Sequence, residues 1–348
     1  MIARGWVAYD PGMPPLPTVT VGRIPFDGAI RDFDVVERDG RPFLVGTHDR
    51  SLRAFSWDLA RDTWTEHALG DPWFGEDGYT ELAALAATVV DGRIVVGGGG
   101  DRQGFAQWDL ESGAVRMYAE DGGVASATAA VVGGRTWFVV GVSSGPPVQL
   151  WDPAVAEPGE ADPADAPSPY DHLIEVNALE AFSRASSAVA AGTLKDRPVL
   201  VGPGGDARVF VWDIENDALL LEIDDIDVEL RDFALVDAGV PRVVASGGRT
   251  LLVGGLATGE WEDPIEVPCA AVTCLDATVL DGGAVAVTGS EDGTVCAWDL
   301  EARRLLAEPT CGEHPITALR ITELDGRQVV ITSDRNGTVQ VLNLPRYL

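Results

Sequence analysis

The chain carries, at positions 292–300, the stretch Asp292-Gly-Thr-Val-Cys-Ala-Trp-Asp-Leu300, in which a turn pair, a short β-rich run and a Trp-Asp pair follow one another. The Trp-Asp pair recurs in strict form, with its tryptophan at Trp57, Trp108, Trp151, Trp212 and Trp298. Two further segments, Val253–Leu256 and Val341–Leu344, keep the surrounding pattern without the tryptophan. The sequence therefore predicts seven copies of one unit.

The spacing of these copies indicates the kind of unit. From one tryptophan position to the next, with Gly254 and Leu342 as the positions in the two degenerate copies, the steps are 51, 43, 61, 42, 44 and 44 residues. A period of about 40 to 45 residues is typical of one four-stranded propeller blade. The two long steps contain an extra loop at 71–78 and a stretch at 153–169 that is rich in Pro, Ala, Asp, Glu and Gly. We therefore expect an all-β, seven-bladed propeller of four-stranded antiparallel blades.

The last two copies predict individual strands, because short β-rich runs alternate with Gly- and Asp-containing turns. The predicted strands are Ala271–Leu280, Ala284–Gly289 and Thr294–Leu300 in the sixth unit, and Ile316–Leu324, Gln328–Thr332 and Thr338–Leu344 in the seventh. The glycine run Gly97–Gly100 is expected in a turn between two strands, since it precedes no helical pattern.

With Asp292–Leu300 as its most specific part, the whole chain resembles the WD-repeat β-propeller family, as a divergent, bacterial-type member. Blades of that family are often tied by a hydrogen-bonded set of His, Ser or Thr, Asp and Trp. No copy in this chain keeps all four residues. We therefore expect packed apolar faces to contribute more to blade cohesion than this polar network does.

The chain is predicted to form a single domain over residues 1–348. Because only four residues follow Leu344, the seventh unit lacks a fourth strand, and the alternating segment at 18–25 is predicted to close that blade. Residues 153–170 are predicted to be a disordered, acidic, Pro-rich insertion between the third and fourth strands of the third blade. A docking segment is the alternative interpretation of that insertion.

Charge restricts the class of partner. The formal net charge is −30, and no cluster of Lys or Arg is present, so nucleic acid is not expected as a partner. A basic or neutral protein or peptide is expected instead, although an acidic surface also serves plain solubility. No run of 18 apolar residues and no signal-peptide pattern is present, which predicts a cytoplasmic protein without membrane attachment. We expect a monomer.

No catalytic residue and no cofactor is predicted, because the sequence lacks the G-x-S-x-G, H-E-x-x-H and phosphate-loop patterns. The weak candidates for a metal site are Cys269, Cys311 and His314, which precede or begin neighbouring repeats. Their spacing is not the paired spacing of a zinc site, so no metal is predicted. Cys274 and Cys296 are interpreted as ordinary buried thiols.

The resemblance implies where a propeller of this kind acts. In the family, loops before the first strand and between the second and third strands gather on one face around the central channel. This places Arg31, Glu81, Arg184 and Arg231 on that face as candidate partner-binding residues. Because Arg-Asp-Phe occurs at 31–33 and again at 231–233, we expect these to be equivalent sites. A local ion pair between each Arg and its Asp is the alternative.

The loop Gly70–Tyr79 is the most distinctive local feature. Trp73, Phe74 and Tyr79 lie among turn residues and are candidate anchors for a partner, since aromatic side chains dominate interface hot spots. The alternative is that they cover a blade edge. The sequence thus favours an interaction scaffold or adaptor. The alternative is a propeller hydrolase or lyase with polar residues at the channel mouth, where Asp32, Glu81 and Asp232 hold a divalent cation.

Overall fold

The structure is a computed structural model. It describes residues 14–25, 30–48, 52–72, 82–100, 103–119, 122–132, 134–142, 148–154, 173–176, 189–194, 197–203, 208–224, 228 and 230–345. Within these ranges the regular elements are β-strands, and no helix is both long and apolar enough to cross a bilayer.

Seven antiparallel sheets form the blades of a seven-bladed β-propeller, as predicted. The strands of the first four blades are β2 (Ile30–Arg38), β3 (Arg41–His48), β4 (Arg53–Asp58), β5 (Thr63–Ala68), β6 (Ala84–Val90), β7 (Arg93–Gly100), β8 (Gln103–Asp109), β9 (Val115–Ala119), β10 (Val124–Val132), β11 (Arg135–Val142), β12 (Val148–Trp151), β13 (Leu173–Val176), β14 (Ala190–Leu194), β15 (Arg197–Pro203), β16 (Val209–Asp213) and β17 (Ala218–Ile223).

The last three blades contain two additional short strands. Their strands are β18 (Asp232–Asp237), β19 (Pro241–Gly247), β20 (Thr250–Gly255), β21 (Glu260–Trp261), β22 (Ile265–Glu266), β23 (Val272–Leu280), β24 (Gly283–Ser290), β25 (Thr294–Asp299), β26 (Arg304–Leu305), β27 (Thr310–Cys311), β28 (Ile316–Leu324), β29 (Arg327–Asp334) and β30 (Thr338–Asn343). In blades five and six the outer position is shared by two short strands, because β22 also pairs with β20 and β27 also pairs with β25.

The chain divides into two compact units. One consists of Met1–Ile24, Asp206–Val209 and Leu221–Leu348, and it contains blades five, six and seven. The other consists of Pro25–Gly205 and Phe210–Leu220, and it contains blades one, two and three with most of blade four.

The N-terminal strand β1 (Thr18–Arg23) completes the last blade, which confirms the predicted closing strand. It pairs antiparallel with β30 and gives the sheet order β1-β30-β29-β28. Two backbone bonds extend the pairing beyond the strand, from Ile24 N to Gly337 O at 3.1 Å and from Asn343 N to Pro17 O at 2.9 Å. Leu16 and Ile24 are 3% and 4% exposed, so apolar side chains anchor both ends of β1.

Two-residue turns join the first and second strands of four blades. In each turn an Asp and the following Gly both have positive φ, for example 49° at Asp281 and 88° at Gly282. Two positive φ angles define the type I′ turn, whose twist matches that of the flanking strands. The other three turns of this set are Asp39-Gly40, Asp91-Gly92 and Asp325-Gly326.

The repeated tryptophans lie on the third strand of their blades, and those of β4, β8, β12 and β25 are almost completely buried. The five indole N–H groups donate to four kinds of acceptor. Trp57 and Trp212 each donate to an Asp five residues later, Asp62 (3.0 Å) and Asp217 (3.1 Å), whereas Trp108 donates to the Gly70 carbonyl (2.8 Å), Trp151 to Gln149 (3.1 Å) and Trp298 to Thr288 (3.1 Å). The sixth blade alone among these uses the Thr acceptor of the family's polar set. Cohesion instead comes from apolar clusters between neighbouring blades, such as Val253, Leu275 and Trp298.

The Asp of each Trp-Asp pair has a structural role that the sequence did not reveal. In blades one to four it accepts a contact from an Arg at the start of the second strand: Arg41 to Asp58 (3.0 Å), Arg93 to Asp109 (3.5 Å), Arg135 to Asp152 (2.5 Å) and Arg197 to Asp213 (3.7 Å). In blade six Arg304 approaches Asp299 at 3.8 Å from the following strand. The repeated pair therefore ties the third strand to its neighbour.

The glycine run was wrongly expected in a turn, since Gly97–Gly100 lie at the end of β7. Close packing explains the glycines. A Cβ at Gly97 would lie 2.7 Å from the Phe138 ring, and a Cβ at Gly98 would lie 2.4 Å from the Ala84 carbonyl oxygen. The run therefore lets neighbouring backbone and aromatic rings approach the strand.

Candidate functional site

The seven predicted partner-binding residues fall into two groups. Trp73, Phe74, Tyr79, Glu81 and Arg184 lie outside the described residues, as does most of the predicted insertion at 153–170. Two of the predicted residues are described: Arg31 is the second residue of β2, and Arg231 immediately precedes β18.

The first strands carry a bulge near their beginning. In blade one the register with β3 shifts between Ile30 and Phe33, so Arg31 and Asp32 lie in the bulge. Comparable shifts occur at the beginning of β10, β23 and β28. A bulge leaves a residue outside the regular pairing and turns its side chain to a new direction.

In the unit with blades five to seven, two carboxylates join adjacent first strands. Asp232 accepts the backbone N–H of Phe233 at 2.9 Å with one oxygen and the N–H of Leu275, in the next blade, at 2.8 Å with the other. Asp276 repeats this arrangement with Ala277 and Ile321, both at 2.8 Å. Each carboxylate thus connects its own strand to the first strand of the following blade.

The other unit contains the same arrangement between blades one and two. Asp32 accepts from Phe33 at 2.9 Å and from Leu85 at 3.1 Å. Asp34 accepts from Val35 at 2.8 Å and from Ala87 at 3.2 Å. The predicted equivalence of residues 31–33 and 231–233 is therefore present in the hydrogen bonding of the two aspartates.

The environment of Asp232 shifts its titration. Burial raises the pKa of Asp232 to about 6, the neighbouring carboxylate of Asp276 adds to this rise, and the Leu275 N–H and Arg320 oppose it. Arg231 does not pair with this carboxylate; its guanidinium lies 3.4 Å from Glu291 in the following blade. Both side chains of the latter pair are about half exposed, so the pair contributes little to stability.

The cysteine and histidine candidates do not form a metal centre. Cys269 is buried and its sulfur lies 2.8 Å from the Ser290 hydroxyl, whereas Cys311 is exposed. Across the described ranges, no three His, Cys, Asp or Glu side chains are placed to hold one ion.

A cleft of about 690 Å³ lies in the unit with blades five to seven. Its polar and aromatic walls come from the outer strand β17 and from the segment around β21. They are formed by Glu222, Asp224, Glu260, Trp261, Glu262 and Asp263. We call this feature the acidic cleft. Five of these six side chains are carboxylates.

Ion pairs neutralise only part of the acidic cleft. Arg208 contacts both Glu222 and, at 3.3 Å, Asp224. Arg303 lies 3.0 Å from Glu262. Within the described part of the chain, no cation is paired with the carboxylate of Glu260 or Asp263.

Trp261 is the aromatic side chain of the acidic cleft. It is partly exposed, and its ring lies against the backbone of Gly254, where a Cβ would be 3.0 Å from ring atoms Cε3 and Cζ3. The indole N–H is buried and has no acceptor among the described residues. Such an unsatisfied buried donor costs about 1 to 3 kcal/mol.

The acidic cleft was missed from the sequence, although a signal was present. The run Glu260-Trp-Glu-Asp263 places one tryptophan among three acids and departs from the Trp-Asp pattern expected in that repeat. No protein-family model matches the chain, and no curated protein matches it.

Proposed function

We propose that this protein is an interaction scaffold that binds a protein or peptide partner. The observation that carries this proposal is the hydrogen bonding of four aspartates on the first strands of the blades. Asp32, Asp34, Asp232 and Asp276 each accept backbone N–H groups with both carboxylate oxygens. Carboxylates that form these bonds hold adjacent blades together. The loops can then vary in sequence and recognise a partner.

The same observation disfavours the alternative of a propeller enzyme with a carboxylate-held cation. A cation at Asp32 or Asp232 would lie beside N–H groups whose positive ends already point at the same oxygens. Its binding would be opposed by those dipoles or would require the bonds between blades to break. The described aspartates therefore favour a structural role over a metal-dependent reaction.

The further attributes are part of the same proposal. We place the chain in the WD-repeat family as a divergent, bacterial-type member, because its Trp-Asp pairs lie on the third strands of their blades. We propose a cytoplasmic monomer without a cofactor, whose partner surface includes Arg31, Arg231 and the loop residues Trp73, Phe74 and Tyr79. The net charge of −30 supports a basic or neutral protein partner.

Affinity capture from the native host, followed by binding measurements with the purified partner, tests this function. Trp73→Ala with Tyr79→Ala, and separately Arg231→Ala, should weaken partner binding at least about tenfold with an unchanged melting temperature. Glu313→Gln, at an exposed carboxylate, is the control and should bind normally. The scaffold proposal fails if no host protein binds specifically, and its partner surface is wrong if these variants bind like the parent protein.

A further inference from the structure

We propose that the acidic cleft binds an extended, arginine-bearing segment of a partner protein, with a guanidinium group over Trp261. This inference rests on the proposed scaffold function and adds the chemistry of the ligand. It places recognition on an outer part of the blades, away from the first strands.

The carboxylates of the acidic cleft indicate that its ligand is positively charged. The acidic cleft has five carboxylates, and Arg208 and Arg303 contact three of them. Arg242 lies 3.7 Å from Glu262 and 3.6 Å from Glu301, so it is shared between the cleft and a carboxylate outside it. Arg303 also donates to the backbone carbonyl of Asp263, but in the described part of the chain the carboxylates of Glu260 and Asp263 themselves have no ion pair and remain for a cationic ligand.

Trp261 indicates the kind of cation. A guanidinium or ammonium is attracted to the face of an indole ring, and arginine is more often found in this position because its plane stacks on the ring. One face of the Trp261 ring packs against Gly254, and the partly exposed side chain lines the cleft. An aromatic wall beside unpaired carboxylates is suited to a planar organic cation.

The unsatisfied indole N–H favours a peptide over a free cation. This donor is buried and has no acceptor among the described residues. In the proposed complex the ring turns so that this N–H donates to an oxygen of the ligand. A peptide backbone supplies such a carbonyl next to its cationic side chain, whereas a simple amine does not.

A metal ion is a poorer fit for the same cleft. A divalent cation needs several oxygens within about 2.6 Å of one point. No three described carboxylates are placed to share an ion, so those of the cleft are distributed along its walls. Distributed charges match an extended chain with side chains along its length.

Fluorescence anisotropy with labelled peptides tests the inference on the full-length protein. The probe is Gly-Ser-Arg-Ala-Arg-Ser-Gly, and the comparison peptide carries citrulline in place of each arginine. Citrulline keeps the shape but loses the charge, so we expect it to bind at least about tenfold more weakly. Binding of the arginine peptide should also weaken as salt rises.

Variants locate the binding. Glu260→Gln with Asp263→Asn should weaken the arginine peptide about tenfold or more, and Trp261→Leu should do the same. Trp261→Phe retains a ring and should recover part of the affinity. The matched control is Glu313→Gln with Glu323→Gln, which removes the same charge from exposed sites outside the cleft and should change affinity less than about twofold.

Three results would overturn the inference: equal binding of the arginine and citrulline peptides, unchanged binding in the cleft variants, or an equal loss in the control. Melting temperatures of all variants distinguish loss of the site from loss of the fold. These results are separate from the partner capture described above. A scaffold that binds its partner normally after Trp261→Leu would keep the proposed function and reject this cleft.

Discussion

Asp232 and Asp276 show how a charged residue is accommodated inside a first strand. Each carboxylate receives one N–H from the next residue of its own strand and one from the next blade. The side chain thus replaces a strand-to-strand hydrogen bond that blades packed face to face cannot form. Its charge is nevertheless partly removed from water, and the raised pKa of Asp232 reflects this.

The titration of Asp232 gives a prediction for stability. The carboxyl of an unfolded chain has a pKa of about 3.9, and that of folded Asp232 is about 6. A raised folded pKa favours the protonated native state, so its contribution is full below about pH 4 and is lost as pH rises through about 6. Between about pH 5 and pH 7.5, the unfolding free energy of the parent should fall relative to Asp232→Asn by on the order of 1 kcal/mol.

Urea unfolding of both proteins at several pH values measures this difference. The groups that surround Asp232 are Arg320, Asp276 and Cys274, and they are unchanged in the variant. Glu323→Gln, which alters an exposed carboxylate, is the control and should show no such trend. A difference between the parent and Asp232→Asn that stays constant or grows with pH would contradict the prediction.

At the scale of the strand, the sequence predicted strand bounds best where turn residues next to the strand mark its ends. The predicted run Ile316–Leu324 is the observed β28, and Thr294–Leu300 differs from β25 by one residue. Gly97–Gly100 was wrongly placed in a turn. Glycine is needed there because Phe138 and Ala84, which belong to other strands, approach the backbone closely. Turns can be predicted from nearby residues, but the residues that a strand contacts after folding cannot.

The candidate sites were harder to predict for the same reason. Asp276 lies in an ordinary β-rich run, and its role requires the N–H of Ile321, 45 residues later. The acidic cleft combines Glu222 and Asp224 with the segment Glu260–Asp263, and no sequence period indicates that these meet. The repeated Arg-Asp-Phe was the signal that the sequence analysis used, and it identified Asp32 and Asp232 as equivalent.

The closing strand gives a prediction at the same scale. Deletion of residues 1–25 removes β1 and the buried side chains of Leu16 and Ile24, and it exposes the edge of β30. We expect loss of the cooperative thermal transition, followed by circular dichroism, because an unpaired edge and two missing core residues destabilise the last blade. Deletion of residues 1–13 retains β1 and is the control.

Addition in trans of a peptide spanning residues 14–25 should restore a cooperative transition to the shortened protein. The closing role of β1 is refuted by a melting curve that is unchanged after deletion of residues 1–25.

For the whole molecule, charge is the dominant collective property. A net charge of −30 on 348 residues produces self-repulsion that opposes the compact state. Between about 0.01 M and 1 M NaCl the Debye length falls from about 30 Å to about 3 Å. The melting temperature should therefore rise by roughly 1 to 2 °C over this range, since about 1 kcal/mol of relieved repulsion is divided by an unfolding entropy of about 0.7 kcal/mol/K for 348 residues.

Differential scanning calorimetry measures the shift. The dependence on concentration is the control: screening predicts that most of the rise occurs below about 0.1 M NaCl, where the Debye length has fallen to about 10 Å, whereas an effect of solute exclusion keeps growing up to 1 M. A melting temperature that falls with NaCl would mean that the ion pairs, such as Arg41 with Asp58, outweigh the repulsion.

The pairing of β1 with β30 also fixes the order of events during synthesis. β1 is translated before every strand of the blades, and its partner follows more than 300 residues later. At about 5 to 20 residues per second, the ribosome needs roughly 15 to 60 seconds to produce that partner. Throughout this interval β30 is absent, so the backbone groups of β1 cannot form their native hydrogen bonds. The last blade can therefore be completed only after translation of β30, when β1, the first of the described strands, pairs with it.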